Sequence, residues 1–240
     1  MQAIQNPELQ PGTPAISVSG EHPLACLPSS SISKYGSHDT IYFRGQPATK
    51  VYLVMKGKVK ILRHESLRVA VDVYRTDDFF GESVLARQPH RMDEAIAIEP
   101  TMLMSWSLEE IEENAASHPE LAAALIRLVV QRSIELANRI ESFATENIER
   151  RLTRALIRFA GRFGWEAEDG TVHMEAFTHE FLSQYIGTSR EIVSHYMSRL
   201  KREGYLQYSR KGISLQQRAL IAWQTEQSTA ALRPSVIRAN

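Results

Sequence analysis

The stretch from Thr178 to Leu215 limits the fold more sharply than any other part of the chain. A hydroxyl residue able to accept from free backbone amides precedes each of two short helical patterns. Thr178 stands before a helix running through Ile186, and Ser189 stands before a second helix to about Glu203. Gly187 lies between them, where the chain must turn. Two short helices around a glycine-containing turn form a helix-turn-helix arrangement. The β-rich runs Tyr205–Tyr208 and Ile213–Leu215, joined across Ser209–Gly212, follow as a small wing.

The second helix of such a motif can enter the DNA major groove with its first turn leading. Arg190 there can donate a bidentate pair to guanine, and Glu191 can accept from cytosine N4. Ser194 and His195 lie one turn further along the same face. Ile192, Val193 and Met197 are left to face the domain. Thr178, Ser189, Arg199, Lys201 and Arg210 are the candidates for holding phosphates, which position a protein on the duplex without reading its sequence.

Charge supports this reading only once it is located. The 28 basic and 28 acidic residues give a formal net charge of zero. Between Gly187 and Gly212, however, the basic Arg190, Arg199, Lys201, Arg202, Arg210 and Lys211 face only Glu191 and Glu203. Basic charge concentrated on one small element is what phosphate neutralisation requires. Arg190 and Glu191 alone could be surface charges. The cap, the glycine turn, the basic flank and the wing together favour a reader of double-stranded DNA.

The rest of the chain is long enough for a second domain. Residues 1–22 are rich in Pro, Gly, Ser and Gln and read as a tail. From Ile41 to Glu99 short β-rich runs alternate with turn residues: Ile41–Phe43, Val51–Met55, Val59–Leu62 and Val69–Tyr74. Met55–Lys58 reads as a tight hairpin, and the whole as a small antiparallel barrel or roll. Ser107 and Glu110 have capping-box spacing for a short helix. His118–Pro119 then opens a long helix to about Phe143. Along it Ile126, Val129, Ser133, Leu136, Ile140 and Phe143 recur at spacings of three and four, the seam of two helices packed side by side. A core-facing helix would show similar spacing, but about 25 residues at about 1.5 Å each exceed what so small a roll could cover. A homodimer is expected. Asn147 caps a further helix to about Phe163, apolar at Leu152, Leu156, Phe159 and Ala160 and basic at Arg150, Arg151, Arg154 and Arg158, with Gly164 ending it.

The fold class expected is therefore α+β, with boundaries at a tail (1–22), an antiparallel β-roll sensor (23–117), a dimerisation helix (118–144), a winged helix-turn-helix (145–218) and a tail or short helix (219–240). No apolar run approaches the roughly 18–20 residues of a membrane span, and no basic-then-apolar leader opens the chain, so the cytoplasm is the default location. The single cysteine, Cys26, cannot form an internal disulfide or a cysteine-held metal cluster and reads as a small hydrophobe or surface thiol. No Gly-x-Ser-x-Gly, phosphate-binding loop, paired-carboxylate spacing or His-x-x-x-His pattern suggests an enzyme or a metal site. A roll that regulates another protein remains a rival, although it would not need residues 178–215.

From about Ile41 to Leu215 the chain resembles the Crp/Fnr family of bacterial regulators. The resemblance rests on Gly45, on Val51–Val54 with Gly57–Lys60, on Asp78–Glu82 and, most specifically, on Ile186–Ser194. It implies a cyclic-nucleotide-binding-like, cupin-type jelly roll, a dimer helix and a winged helix-turn-helix. RNA polymerase becomes a partner if the protein is an activator. In the family the residues matching Arg190, Glu191 and His195 read the half-site. The last is usually Arg, so His195 marks the position where base preference departs from the pattern.

The resemblance also marks a candidate effector pocket at Gly81, Glu82, Arg91, Asp93, Glu94 and Leu136. Gly81-Glu82 match the start of the family's phosphate-binding cassette. Asp93-Glu94, however, fall where Arg-Ser would stand, and two carboxylates repel a phosphate. Arg91 could substitute only if the loop re-registers. Leu136 and Ala137 replace the polar pair that meets adenine. Cyclic AMP is therefore not expected as a ligand. The cysteine cluster of the iron–sulfur members is absent. Haem or another small molecule in the roll is the alternative, with His64 or His118 as the histidines to consider, and the identity of the cofactor stays open.

Overall fold

The computed structural model describes residues 31–64 and 68–223. The expectations for residues 1–22, for Cys26 and for residues 224–240 lie outside the described residues. The chain forms two compact units that divide after Glu146, with Ser183–Ser189 belonging to the first.

The first unit is a roll of two antiparallel four-stranded sheets followed by two helices. Its strands are β1 (Ser31–Tyr35), β2 (Thr40–Tyr42), β3 (Lys50–Lys56), β4 (Lys58–His64), β5 (Arg68–Arg75), β6 (Phe79–Phe80), β7 (Glu94–Ala97) and β8 (Thr101–Ser107). One sheet has the order β1-β8-β3-β6 and the other β2-β7-β4-β5. The two-residue period of a strand sets which side chains face inward: in β8, Thr101, Leu103 and Ser105 are buried while Met102 and Met104 between them are half-exposed. One core cluster gathers Val51, Phe79, Trp106, Leu121 and Leu125, and a second gathers Tyr42, Val59, Ile61, Tyr74, Phe80 and Leu103.

Helix α1 (Leu108–Ser117) starts on a complete capping box. Glu110 N–H donates to Ser107 Oγ at 3.2 Å, and Ser107 N–H donates to a Glu110 carboxylate oxygen at 2.7 Å. Helix α2 (Pro119–Thr145) follows with Pro119 in its first turn, where a missing N–H loses nothing. Its first turns bury Leu121, Ala124 and Leu125 against the roll. The predicted seam does not reach that core. Ile126 is 64% exposed and Ile140 69%, and Val129, Ser133, Leu136 and Phe143 are exposed with them.

The second unit opens with α3 (Ile148–Phe163), whose Asn147 cap accepts from Arg150 N–H at 3.0 Å. Leu152, Leu156, Phe159 and Ala160 are buried, and Phe159, Phe163, Phe177 and Phe181 form an aromatic cluster with ring centroids 4.6–6.0 Å apart. Gly164 ends the helix, but not in the left-handed conformation expected of a C-terminal glycine. Its φ is −93°, and glycine is needed because a Cβ there would stand 2.3 Å from the Ala160 carbonyl oxygen.

Strands β9 (Gly164–Glu166) and β10 (Val172–Met174) precede α4 (His179–Ile186) and α5 (Arg190–Arg202); β11 (Leu206–Ser209) and β12 (Gly212–Leu215) follow them. The four strands form one antiparallel sheet, β11-β12-β10-β9. The expected wing hairpin is thus the outer half of a larger sheet, closed by a strand, β9, absent from the sequence reading. Residues 217–223 are helical, and Ala219 and Trp223 are buried, so this part of the ambiguous C-terminal segment completes the core.

Candidate nucleic-acid interface and effector cavity

Thr178 accepts from Phe181 N–H at 3.1 Å and so starts α4. Gly187 turns the chain at φ +70°, a left-handed conformation that side chains with a Cβ rarely adopt. Its N–H and that of Thr188 both donate to the Ser183 carbonyl, at 2.9 and 3.0 Å, closing the end of α4. Three residues after the glycine, α5 begins. Val193, Met197 and Leu200 on it are buried at spacings of four and three, so its inward face is settled by periodicity. Ile192 departs from the expectation that it faces the domain. It is 37% exposed because it precedes Val193 by one residue, about 100° around the helix, and sits on the shoulder.

Arg190, Glu191 and His195 are exposed, and Ser194 is half-buried among them. Ser194 donates its hydroxyl hydrogen to the Arg190 carbonyl at 2.9 Å. That leaves the oxygen of Ser194 as an acceptor for His179 Nδ1, also at 2.9 Å. Burial first, and then the Arg190 charge, lower the His179 pKa, so the ring is held neutral with its proton on Nδ1. The His179 ring lies 5.3 Å from that of Tyr208 on β11. Tyr208 in turn reaches Ser198 at 3.4 Å and carries the Lys201 ammonium 5.2 Å above its ring. His179 and Tyr208 were not singled out in the sequence; the signal available was an imidazole directly after the Thr178 cap.

The phosphate candidates separate. Lys201, Arg210, Ser189 and Thr178 are exposed, Thr178 with its hydroxyl oxygen accepting at the helix start. Arg199 is ion-paired with Glu149 on α3 and, at 3.5 Å, with Glu203.

In the first unit a cavity of about 690 Å³ is bounded by the roll and α2. Gly81, Glu82, Asp93 and Leu136 line it, with Tyr42, Tyr74, Arg63, Arg139 and a largely aliphatic wall. Arg91 and Glu94 do not. Arg91 is only 2% exposed and turned to structural use: it donates to the Gly81 carbonyl at 3.0 Å and to the Lys50 carbonyl, with its guanidinium 4.3 Å above the Tyr42 ring. Tyr42 and Asp93 both line the cavity, close enough for each to shift the titration of the other. Burial raises the pKa of both groups, and for Asp93 it outweighs the opposing effects of Tyr42, Arg63 and Arg91.

Two arginines on α2, seven residues apart, complete the site and were missed in the sequence. Arg132 pairs with Glu82 at 2.7 Å and lies 4.6 Å over the Tyr74 ring. Arg139 donates to the Val71 and Ala70 carbonyls, each at 2.7 Å. Their spacing on a largely apolar helix was the readable hint. His118 Nδ1 lies 3.3 Å from the Asn114 carbonyl, and the His64 side chain lies outside the described residues. Among the described residues no group of three His, Cys, Asp or Glu side chains could hold a metal, and no helix is long and apolar enough to cross a membrane.

Residues 32–118 match the cyclic nucleotide-binding domain family, and residues 150–222 match the Crp-like helix-turn-helix domain. A transcriptional regulator of Thermus thermophilus, SdrP, is 30% identical over 70% of this chain and 81% of its own. The global nitrogen regulator of a Synechocystis strain is 26% identical over 77% of this chain and 84% of its own. The chain belongs to the Crp/Fnr family.

A solved structure of a CRP/FNR-family transcriptional regulator from Thermus thermophilus superposes with a TM-score of 0.66 at 27% identity, covering 81% of this chain and 98% of that one. The protein is thus a DNA-binding transcription regulator of Crp/Fnr type, with an N-terminal roll, a long helix and a C-terminal helix-turn-helix. Within the matched nucleotide-binding-like domain, Glu82 is occupied by Arg132 and Arg91 by backbone carbonyls.

Proposed function

We propose that this regulator acts as a homodimer on a palindromic promoter site. Its two α5 helices enter major grooves at half-sites one helical turn apart. Arg190, Glu191, Ser194 and His195 read base edges, while Thr178, Ser189, Lys201 and Arg210 hold phosphates, with Arg199 bracing α5 against α3. The observation that carries this reading is the first turn of α5. Arg190, Glu191 and His195 stand exposed on one side of a helix whose other side buries Val193, Met197 and Leu200.

Dimerisation through α2 is supported by an apolar surface that no described residue covers: Ile126, Val130, Ile134 and Ile140 are all more than half exposed. Such a protein works in the cytoplasm, where its DNA is. Cyclic AMP is not its signal. A cyclic phosphate at the cassette would meet Asp93, and the guanidiniums of Arg91 and Arg132 are engaged elsewhere.

The test is a mobility shift on fragments of the promoters the protein controls, at fixed salt. Arg190→Ala and Glu191→Ala should each weaken specific binding by about 1–3 kcal/mol, while leaving binding to unrelated DNA unchanged. Arg210→Ala should weaken binding to every sequence alike and reduce the salt dependence by about one counterion. Equal, weak binding of wild type and variants to every fragment would sink the reading.

A further inference from the structure

We propose that the cavity of the β-roll takes an apolar organic amine, a ring-sized body whose nitrogen donates to Asp93, and excludes phosphate and carboxylate anions. The proposal rests on reading the roll as a sensor.

The cavity has the size of a small-molecule site, about 690 Å³. Its walls are mostly aliphatic, with Ile61, Val69, Val71, Leu136 and Ile140 among them, which suits a hydrocarbon or aromatic body. Among its charged lining residues, Glu82 is paired with Arg132 and Arg139 is held by backbone carbonyls, which leaves Asp93 as the carboxylate open to a ligand. A carboxylate only accepts hydrogen bonds, and its lone pairs ask for donors. A charged nitrogen makes the stronger, charge-assisted bond.

Anions meet the opposite situation. Arg91 is committed to the Gly81 and Lys50 carbonyls and to the Tyr42 ring. Arg132 is committed to Glu82 and the Phe79 carbonyl, and Arg139 to the carbonyls of Val71 and Ala70. Arg63, the other guanidinium of the lining, already acts on the Asp93 charge. An anion would meet guanidiniums bonded to the chain or, at Arg63, one that stands near the Asp93 charge, whereas an amine adds a bond the chain leaves open.

Phenethylamine and phenylacetate present nearly the same body with opposite charge, and cyclic AMP adds the nucleotide anion. Binding of each to the full-length protein, without DNA, is followed by ligand-observed NMR and by the shift in thermal unfolding. The amine should bind saturably. The two anions should not do so at the same concentrations. Asp93→Asn keeps the size of the side chain while removing its charge, and should weaken the amine at least tenfold. Val69→Trp should fill the cavity and abolish binding, with the far-UV circular dichroism unchanged.

Absence of amine binding, binding of phenylacetate or cyclic AMP as tight as that of the amine, or amine binding unaltered in Asp93→Asn would each overturn the proposal. Failure of the DNA assay with amine binding intact would count against the regulator reading and leave the ligand class standing.

Discussion

Arg132 on α2 and Glu82, the first residue of the short 3-10 turn Glu82–Ala86, form a 2.7 Å ion pair that ties the long helix to the cavity wall. Their side chains are 16% and 33% exposed, so solvent screens the pair only in part. Arg132→Met should destabilise the first unit by about 2 kcal/mol, below the roughly 3–5 kcal/mol of a fully buried pair, because Glu82 is left facing an apolar wall. Adding Glu82→Leu should recover most of that loss. Urea unfolding of the single and double variants checks this, and equal losses in both would refute it.

The exposed face of α2 makes a second expectation. Ile126→Glu combined with Ile140→Glu places charges on the proposed seam without touching the core formed by Leu121 and Leu125. Sedimentation should show a monomer where the parent is a dimer, with helicity retained. A dimer that survives both substitutions would move the interface elsewhere.

His179 couples the DNA-reading unit to pH. Its pKa is lowered in the fold, so the unfolded chain takes up the proton first as pH falls. The stabilising contribution is therefore present above the unfolded pKa of about 6.5 and is lost as pH drops through the lower, folded value. Thermal unfolding should weaken across that window in the wild type and less so in His179→Gln. An identical pH profile in both proteins would contradict the assignment.

Asp93 has the reverse sign. Its carboxyl pKa is raised by burial, so a stabilising contribution exists below the unfolded value and disappears as pH rises through the folded one. Above that folded value the charge on half-buried Asp93 destabilises the roll. Asp93→Asn should raise the melting temperature there, with the advantage shrinking as the pH falls toward about 4. A variant less stable than wild type at pH 7 would show that Asp93 has a compensating partner.

Local rules made much of this chain legible before any coordinates. Thr178, Ser107 and Asn147 start helices because a side-chain oxygen meets free amides within three residues, a relationship fully contained in sequence. Strand β8 and helix α5 bury alternate and every third or fourth residue because backbone geometry sets those periods. Ile192 shows the limit: periodicity places it near a buried face, and only the packed neighbours decide how much of it stays exposed.

The candidate sites divide along the same line. The first turn of the recognition helix follows from a cap, a glycine and the helical period, so sequence alone determined which side chains stand there and that the chain carries a DNA-reading motif. The cavity did not follow in that way. Arg91 stands two residues from Asp93 in the chain, yet one is turned onto the backbone carbonyls of Gly81 and Lys50 while the other lines the cavity with Tyr42. Arg132, some fifty residues from Glu82, neutralises it. Which charges cancel, and which carboxylate is left to face a ligand, depends on distances that only strand pairing and helix docking create, because electrostatic energy falls with separation in space and is blind to separation along the chain.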